Sequence, residues 1–218
     1  MSERVETVTI GDWTVNVRKP KEAGNGGIVL LLHGLTGDEK SMWAFQKLLP
    51  GDALAIAPRA PHESQGVNLE GYSWVERPMD FLPTERDFAP AVYQLHSFLD
   101  HIVENFPGTD RENLRVVGFS QGAAMAVAYA VTFPTEISKL AVLAGFMPDQ
   151  IGDFSKNTAS YSVFIGHGSE DDVVPVANAE KTKTFFEMGG LHVTYCIAPA
   201  GHRLGSDCAV GLKTFLTD

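Results

Sequence analysis

A serine between two glycines is the feature of this sequence best suited to covalent chemistry. Gly118-Phe119-Ser120-Gln121-Gly122 lies where a hydrophobic run, residues 114–117, meets a run of small residues, 123–128. A G-x-S-x-G segment between a strand and a helix is typical of a nucleophile elbow, a tight turn that projects the serine hydroxyl clear of the sheet. Glycines flank the serine because side chains would collide in so sharp a turn. The pattern predicts that Ser120 is a nucleophile.

A serine hydroxyl needs a base to take its proton, and the base needs an acid to orient it. On a nucleophile elbow the chain order is serine, acid, histidine. His202 follows the last hydrophobic run, in Ala200-Gly201-His202-Arg203, so it is the predicted base. The other six histidines either precede Ser120 or lie at the edges of predicted strands: His33, His62, His96, His101, His167 and His192.

The acid is expected just after the hydrophobic run at 163–165, where residues 166–175 contain three carboxylates. These are Glu170, Asp171 and Asp172, of which the first and third are also suited to facing solvent or capping the next helix. Asp149, which follows the run at 140–143, is a further candidate. Spacing alone leaves the choice of acid open.

An oxyanion formed during acyl transfer needs hydrogen-bond donors. In proteins with a nucleophile elbow these are the backbone N–H of the residue after the nucleophile and a backbone N–H of an early loop. These donors are predicted to be the amides of Gln121 and Leu35. The same loop, residues 34–41, nearly matches the phosphate-binding G-x-x-x-x-G-K-[ST], but Glu39 replaces the second glycine and would repel phosphate. No metal-binding motif is present in the sequence, and the predicted chemistry uses no cofactor.

The elements that must position these residues alternate along the chain. Residues 5–10 and 13–17 alternate in polarity around Gly11-Asp12 and predict a β-hairpin. Apolar runs typical of strands covered on both faces lie at 28–32, 53–57, 114–117, 140–143, 163–165 and 193–197. Helical periodicity lies at 41–49, 87–106, 121–132, 176–188 and 206–216. This order predicts an α/β fold with a doubly wound, mainly parallel sheet and an N-terminal antiparallel hairpin.

Composition excludes several classes of protein. The formal net charge of -10 argues against a nucleic-acid partner, which would need a basic face. There is no apolar run long enough for a transmembrane segment and no signal peptide at the start, so a cytoplasmic protein is expected. The two cysteines, Cys196 and Cys208, lie in a strand-like and a helix-like run and are expected to be buried thiols.

Residues 59–86 interrupt the alternation and hold prolines and aromatic residues without clear periodicity. An excursion of this length in a compact domain is often a lid or a pocket wall, and a structural connector is the alternative. The rest of the chain shows no repeat or linker, so residues 1–218 are predicted to form a single domain.

Four segments together resemble the phospholipase/carboxylesterase family of α/β-hydrolases, which includes acyl-protein thioesterases. They are Leu31-Leu32-His33-Gly34-Leu35, the segment around Ser120, residues 167–175 and Gly201-His202. The resemblance implies the α/β-hydrolase fold, and its H-G-x-x-D-x-V-V-P segment assigns the acid to Asp171. The tryptophan-containing segment at 72–77 is only loosely similar.

The sequence therefore predicts a serine carboxylesterase that cleaves small-molecule esters through an acyl-enzyme, with thioesters as a second candidate class of substrate. Alternatives within the enzymes are a lysophospholipase, an acyl-protein thioesterase or a small-peptide hydrolase. A non-catalytic ligand-binding protein on the same scaffold is the alternative from another class. Homodimers are common among such enzymes, so a homodimer is a candidate assembly. The predicted substrate pocket comprises Trp74, Phe146, Met147 and Val173, each of which also suits the core.

Overall fold

The computed structural model of the protein describes residues 4–21, 26–66, 69–76 and 82–218. Its main strands are β1 (Val5–Ile10), β2 (Trp13–Arg18), β3 (Ile28–Leu32), β4 (Leu54–Pro58), β7 (Leu114–Phe119), β8 (Lys139–Leu143), β9 (Ser162–Gly168) and β10 (His192–Ala198). Two short strands, β5 (His62–Glu63) and β6 (Tyr72–Ser73), pair separately. The helices are α1 (Glu85–Asn105), α2 (Gln121–Thr132), α3 (Ala177–Met188) and α4 (Ser206–Thr217), with a 3₁₀ helix at Ser41–Leu48.

The eight main strands form one sheet in the order β1-β2-β4-β3-β7-β8-β9-β10. The pairs from β4 to β10 are parallel, whereas β1 pairs antiparallel with β2, and β2 antiparallel with β4. This is the α/β-hydrolase fold, and the predicted mainly parallel sheet with its N-terminal hairpin is confirmed. Every residue of β3 and β4 is buried, as their unbroken apolar sequences predict for strands covered on both faces.

The two faces of the sheet bury separate cores because successive side chains of a strand point to opposite sides. On one face, Leu30 and Leu32 of β3 pack in a cluster with residues of α1, α2 and α3. On the other face, Val29 and Leu31 pack with the 3₁₀ helix and α4. The sheet thus carries helices on both faces, and its strands begin and end along its two other sides.

Helix α1 buries the stripe that its sequence predicts. Phe88, Val92, Leu95, Leu99 and Ile102 are buried, and Phe106, just past the helix, is partly buried against the same cluster. The helix starts two residues earlier than the stripe indicates because Thr84 and Asp87 form a capping box at its N-terminus. The segment with helical periodicity at 41–49 forms a 3₁₀ helix over Ser41–Leu48, which is wound more tightly than an α-helix.

The expectation of two free thiols is wrong. Cys196 of β10 and Cys208 of α4 form a disulfide, with their Cα atoms 5.6 Å apart. Helix α4 packs on the face of β10 and brings the two sulfur atoms together, a contact that the local sequence of neither element indicates. The disulfide closes the loop that contains His202.

The segment 59–86 is shorter than its sequence indicates, since α1 already begins at Glu85. It contains the antiparallel pair β5–β6, in which His62 faces Ser73. Residues 67–68 and 77–81 lie outside the described residues, and Pro78 and Phe81 are among them. Within the described parts of the chain, no helix is long and apolar enough to cross a membrane.

Candidate active site

Ser120 lies on a turn of unusual backbone geometry between β7 and α2. Its φ of 54° and ψ of -119° are unfavourable for a residue with a side chain. The two flanking glycines are required by close contacts: a Cβ at Gly118 would overlap the Gly122 carbonyl, and one at Gly122 would overlap the carbonyl oxygens of Leu32 and His33. The elbow therefore packs tightly against the end of β3 and holds Ser120 at the carboxyl edge of the sheet.

The structure brings Ser120, Asp171 and His202 together. His202 Nε2 lies 3.0 Å from Ser120 Oγ, and His202 Nδ1 lies 2.8 Å from Asp171 Oδ2. Asp171 follows β9 and His202 follows β10, so the carboxyl ends of three parallel strands supply the three side chains. The imidazole is about one-fifth exposed and packs against Phe119, with ring centroids 5.1 Å apart.

The Asp171 side chain is fully buried and held by several donors. Its Oδ1 accepts hydrogen bonds from the N–H groups of Val173 at 3.0 Å and Val174 at 2.8 Å. Burial by itself raises the pKa of this carboxyl, but the Val174 N–H, His202 and the Val173 N–H together hold its pKa below the ordinary value. Asp171 is therefore an anion fixed in one orientation toward His202.

The competing carboxylates do not reach His202. Glu170 and Asp172 are exposed on either side of Asp171. Asp149 is also exposed, and its backbone is used elsewhere: its N–H donates to Pro83 O and its carbonyl accepts from the Glu85 N–H.

His167 is a buried neighbour of Asp171 that the sequence placed only at a strand edge. Its Nε2–H donates to the Val174 carbonyl at 2.8 Å, and the same nitrogen lies 3.4 Å from Asp171 Oδ2. His167 thus supports the turn that presents Asp171. Its position at the start of the H-G-x-x-D segment was the signal that could have identified it.

The predicted oxyanion donors lie on either side of Ser120. Gln121 is the first residue of α2, where backbone N–H groups point out of the helix end. The loop that carries Leu35 runs against the nucleophile, since a Cβ at Gly34 would lie 3.1 Å from Ser120 Cβ. Within the described residues, the Leu35 N–H has no hydrogen-bond acceptor.

A second histidine, His33, holds the Leu35 loop in place. Its Nε2 accepts a hydrogen bond from the Ala60 N–H at 3.0 Å, so its Nδ1 carries the proton and donates to the Gly34 carbonyl at 2.7 Å. Burial lowers the pKa of His33, which keeps the ring neutral. Chain order excludes His33 as the base but gives no sign of this positioning role.

Residues 72–74 are hydrogen-bonded to both sides of the site. Tyr72 exchanges backbone hydrogen bonds with the loop at 36–37, at 2.9 and 3.0 Å. The Gln121 side chain accepts from the Trp74 N–H at 3.0 Å and donates to Ser73 Oγ at 3.1 Å. Trp74 Nε1 donates to the His33 carbonyl at 2.8 Å. These bonds fix the segment to the elbow and to the Leu35 loop.

The four predicted pocket residues differ in accessibility. Trp74 is completely buried and Phe146 is 2% exposed, so both lie beneath the surface, whereas Met147 is partly exposed and Val173 is 63% exposed. A groove of about 510 Å³ beside Ser120 has other residues in its wall. Sequence reasoning missed them because they come from three separate elements: Met42, Phe45, Phe119, Arg203 and Leu204.

Solved structures share the fold of this chain. The chain superposes on a carboxylesterase from Bacillus cereus with a TM-score of 0.80 at 21% identity, covering 94% of each chain. It superposes on esterase PE8 with a TM-score of 0.76 at 23% identity, covering 98% of each chain. These likenesses show the α/β-hydrolase fold.

The chain belongs to the phospholipase/carboxylesterase family, whose sequence profile matches residues 14–217. It is 30% identical to acyl-protein thioesterase 1 of Saccharomyces cerevisiae, over 73% of this chain and 76% of that protein. It is 25% identical to the carboxylesterase SOBER1 of Arabidopsis thaliana, over 82% of this chain and 84% of that protein. The resemblance read from the sequence is confirmed, and the protein is a carboxylic ester hydrolase.

Proposed function

We propose that the protein is a serine carboxylesterase that acts through an acyl-enzyme, with Ser120 as nucleophile, His202 as base and Asp171 as orienting acid. The observation that carries the proposal is the paired hydrogen bonding of His202, 3.0 Å to Ser120 Oγ and 2.8 Å to Asp171 Oδ2. Donation from Nδ1–H to the carboxylate leaves Nε2 unprotonated and able to accept the serine proton.

The reaction has two displacement steps. Ser120 Oγ attacks the ester carbonyl carbon while His202 Nε2 takes the hydroxyl proton, and the protonated ring then gives that proton to the leaving alkoxide as the C–O bond breaks. A water molecule, deprotonated by His202, attacks the acyl-enzyme, and the released serine oxygen recovers a proton from the ring. Asp171 stabilises the positive ring that forms in each step. No cofactor is required in this scheme.

The amides of Leu35 and Gln121 are the proposed donors to the oxyanion. Each such donor contributes about 3–4 kcal/mol to stabilising the transition state in comparable enzymes. The neutral His33 supports this role, because its two hydrogen bonds tie the Leu35 loop to Ala60.

Met147 and Val173 are proposed to contact substrate, with Trp74 and Phe146 supporting them from below. The hydrogen bonds from β6 and Trp74 to the site favour a pocket wall over a structural connector for the segment 59–86. We propose carboxylic esters as the main substrates. Thioesters are a second class to test, because the yeast relatives are named acyl-protein thioesterases. The single domain, the homodimer and the cytoplasmic location stay predictions.

Labelling with a fluorophosphonate, followed by peptide mapping, tests the nucleophile directly. A single adduct is expected on Ser120, and Ser120→Ala should abolish both the adduct and the hydrolysis of p-nitrophenyl butyrate. An adduct on another residue, or hydrolysis that persists above background in Ser120→Ala, would overturn the proposal. Lysophospholipid and thioester substrates with the same acyl chain then define the substrate range.

Matched variants test the acid and the base. Asp171→Asn and His202→Gln are each expected to lower kcat by at least ~10³-fold, by analogy with other serine triads. Asp172→Asn and His192→Gln are the controls, because both side chains are exposed outside the triad. Equal losses in a variant and its control would show that the assigned hydrogen bonds do not carry the chemistry.

A further inference from the structure

The groove beside Ser120 has an apolar wall and one charge. Its lining comes from the Leu35 loop, the 3₁₀ helix, the residue before Ser120 and the two residues after His202. Leu35, Met42, Phe45, Phe119 and Leu204 supply the apolar surface. Among the described residues that line the groove, Arg203 alone is charged.

Arg203 differs from the paired arginines Arg59 and Arg111. Arg59 pairs with Glu39, with Nε 2.8 Å from Oε2, and Arg111 pairs with Asp100 and Glu136. Within the described parts of the chain, the Arg203 side chain has no hydrogen bond or ion pair. Because Arg203 is exposed in the groove wall and has no partner there among the described residues, its guanidinium is accessible to a group bound in the groove.

The position of Arg203 relates it to the substrate. It directly follows His202, whose Nε2 lies 3.0 Å from Ser120 Oγ, and it lines the groove together with Phe119, the residue before Ser120. A guanidinium presents a planar fork of N–H donors that matches the two oxygens of a carboxylate. An ester held at Ser120 with a carboxylate a few bonds from its carbonyl would bring that anion to this fork.

We infer that Arg203 forms a subsite for an anionic group, so that the preferred substrates are carboxylic esters that themselves carry a carboxylate. The inference rests on the proposed function of Ser120. The carboxylate belongs either to the acyl part or to the alcohol part of the ester. It binds in the ground state as well as in the transition state, and the preference is therefore expected mainly in KM.

Matched pairs of esters test the inference, with product release followed by chromatography. Monomethyl glutarate against methyl pentanoate tests an acyl-side carboxylate, and 3-butyryloxypropanoate against propyl butyrate tests an alcohol-side one. In the wild type, kcat/KM is expected to be about 10-fold higher for the anionic member of at least one pair, the size typical of a partly exposed charge-assisted hydrogen bond. Raising NaCl from 0.05 to about 0.5 M should reduce that ratio.

Arg203→Gln is expected to remove most of the preference for the anionic ester, and Arg203→Lys to keep part of that preference. Lys47→Gln removes the same charge from an exposed site on the 3₁₀ helix and should leave the ratio as in the wild type. A ratio that Arg203→Gln does not change, or that is no greater than one for both pairs in the wild type, overturns the inference. Turnover of p-nitrophenyl butyrate that depends on Ser120 would still support the proposed esterase in that case.

Discussion

Breaking the disulfide between Cys196 and Cys208 is expected to lower stability by about 3 kcal/mol. The two cysteines are 12 residues apart, and closing a loop of that length removes about 3 kcal/mol of chain entropy from the unfolded state. For a domain of this size, the loss corresponds to a fall in Tm of about 6–12 °C. The closed loop also carries His202, so kcat is expected to fall as the loop loosens, although the bond to Asp171 still orients the ring.

Thermal unfolding of oxidised and reduced protein measures this effect. Cys208 is completely buried, so reduction is carried out in denaturant before refolding with the reductant present. Cys196→Ala is the matched variant, because Cys196 is the more exposed partner and its loss leaves Cys208 as a buried thiol. Its Tm should equal that of the reduced wild type and should not respond to reductant.

Two results would refute this reasoning. Titration of two free thiols after unfolding without reductant would show that the disulfide is absent. A Tm that changes by less than ~2 °C, with the disulfide demonstrated by thiol titration, would show that loop closure does not set the stability of this region.

Three further changes follow from the packing of the site. Gly122→Ala is expected to lower the free energy of unfolding, measured by urea titration, by more than ~2 kcal/mol, because the added Cβ would overlap two backbone carbonyls. Gly152→Ala is the control; its Cβ would meet no close contact, so it should change that free energy by less than ~0.5 kcal/mol. Glu39→Gln should lower the free energy of unfolding by about 1–3 kcal/mol and lower kcat, since Arg59 loses the buried carboxylate that ties the Leu35 loop to the next segment. Glu112→Gln makes the same change at an exposed site and is the control; equal effects of the two variants would refute the role of the Glu39–Arg59 pair. Burial lowers the pKa of His33 in the folded state, so the unfolded chain binds a proton on this ring at a higher pH than the folded chain does. The free energy of unfolding should therefore fall as pH drops below about 6.5, by up to ~1.4 kcal/mol per pH unit. His33→Gln should reduce that slope, and an unchanged slope would contradict the assignment.

Much of the fold was predictable because its signals are local. Unbroken apolar runs mark β3 and β4, which helices cover on both faces, and Gln121–Thr132 has the bounds that its sequence predicts. The N-terminus of α1 was missed by two residues because a capping box, not the apolar stripe, sets it. The 3₁₀ geometry of Ser41–Leu48 was missed because residues three and four apart give a similar pattern in both kinds of helix.

The candidate site was predictable to the extent that its motifs are contiguous. Ser120 and its glycines form one turn, and chain order together with a position just past the last apolar run selects His202 from seven histidines. The residues alone did not separate Asp171 from its neighbours, since three consecutive carboxylates follow β9 and only the family resemblance chose among them. Which carboxylate turns inward depends on the Val173 and Val174 amides, and that is a property of the folded turn.

The sequence by itself determined the order of strands and helices, the elbow at Ser120 and the position of His202, because each depends on residues close together in the chain. Only the tertiary structure decided which groups meet across the chain. It joined Cys196 to Cys208, set His33 behind the Leu35 loop and placed Arg203 in the groove wall. These contacts depend on how helices and loops pack on the sheet, and the free energy of that packing is not a property of any one segment.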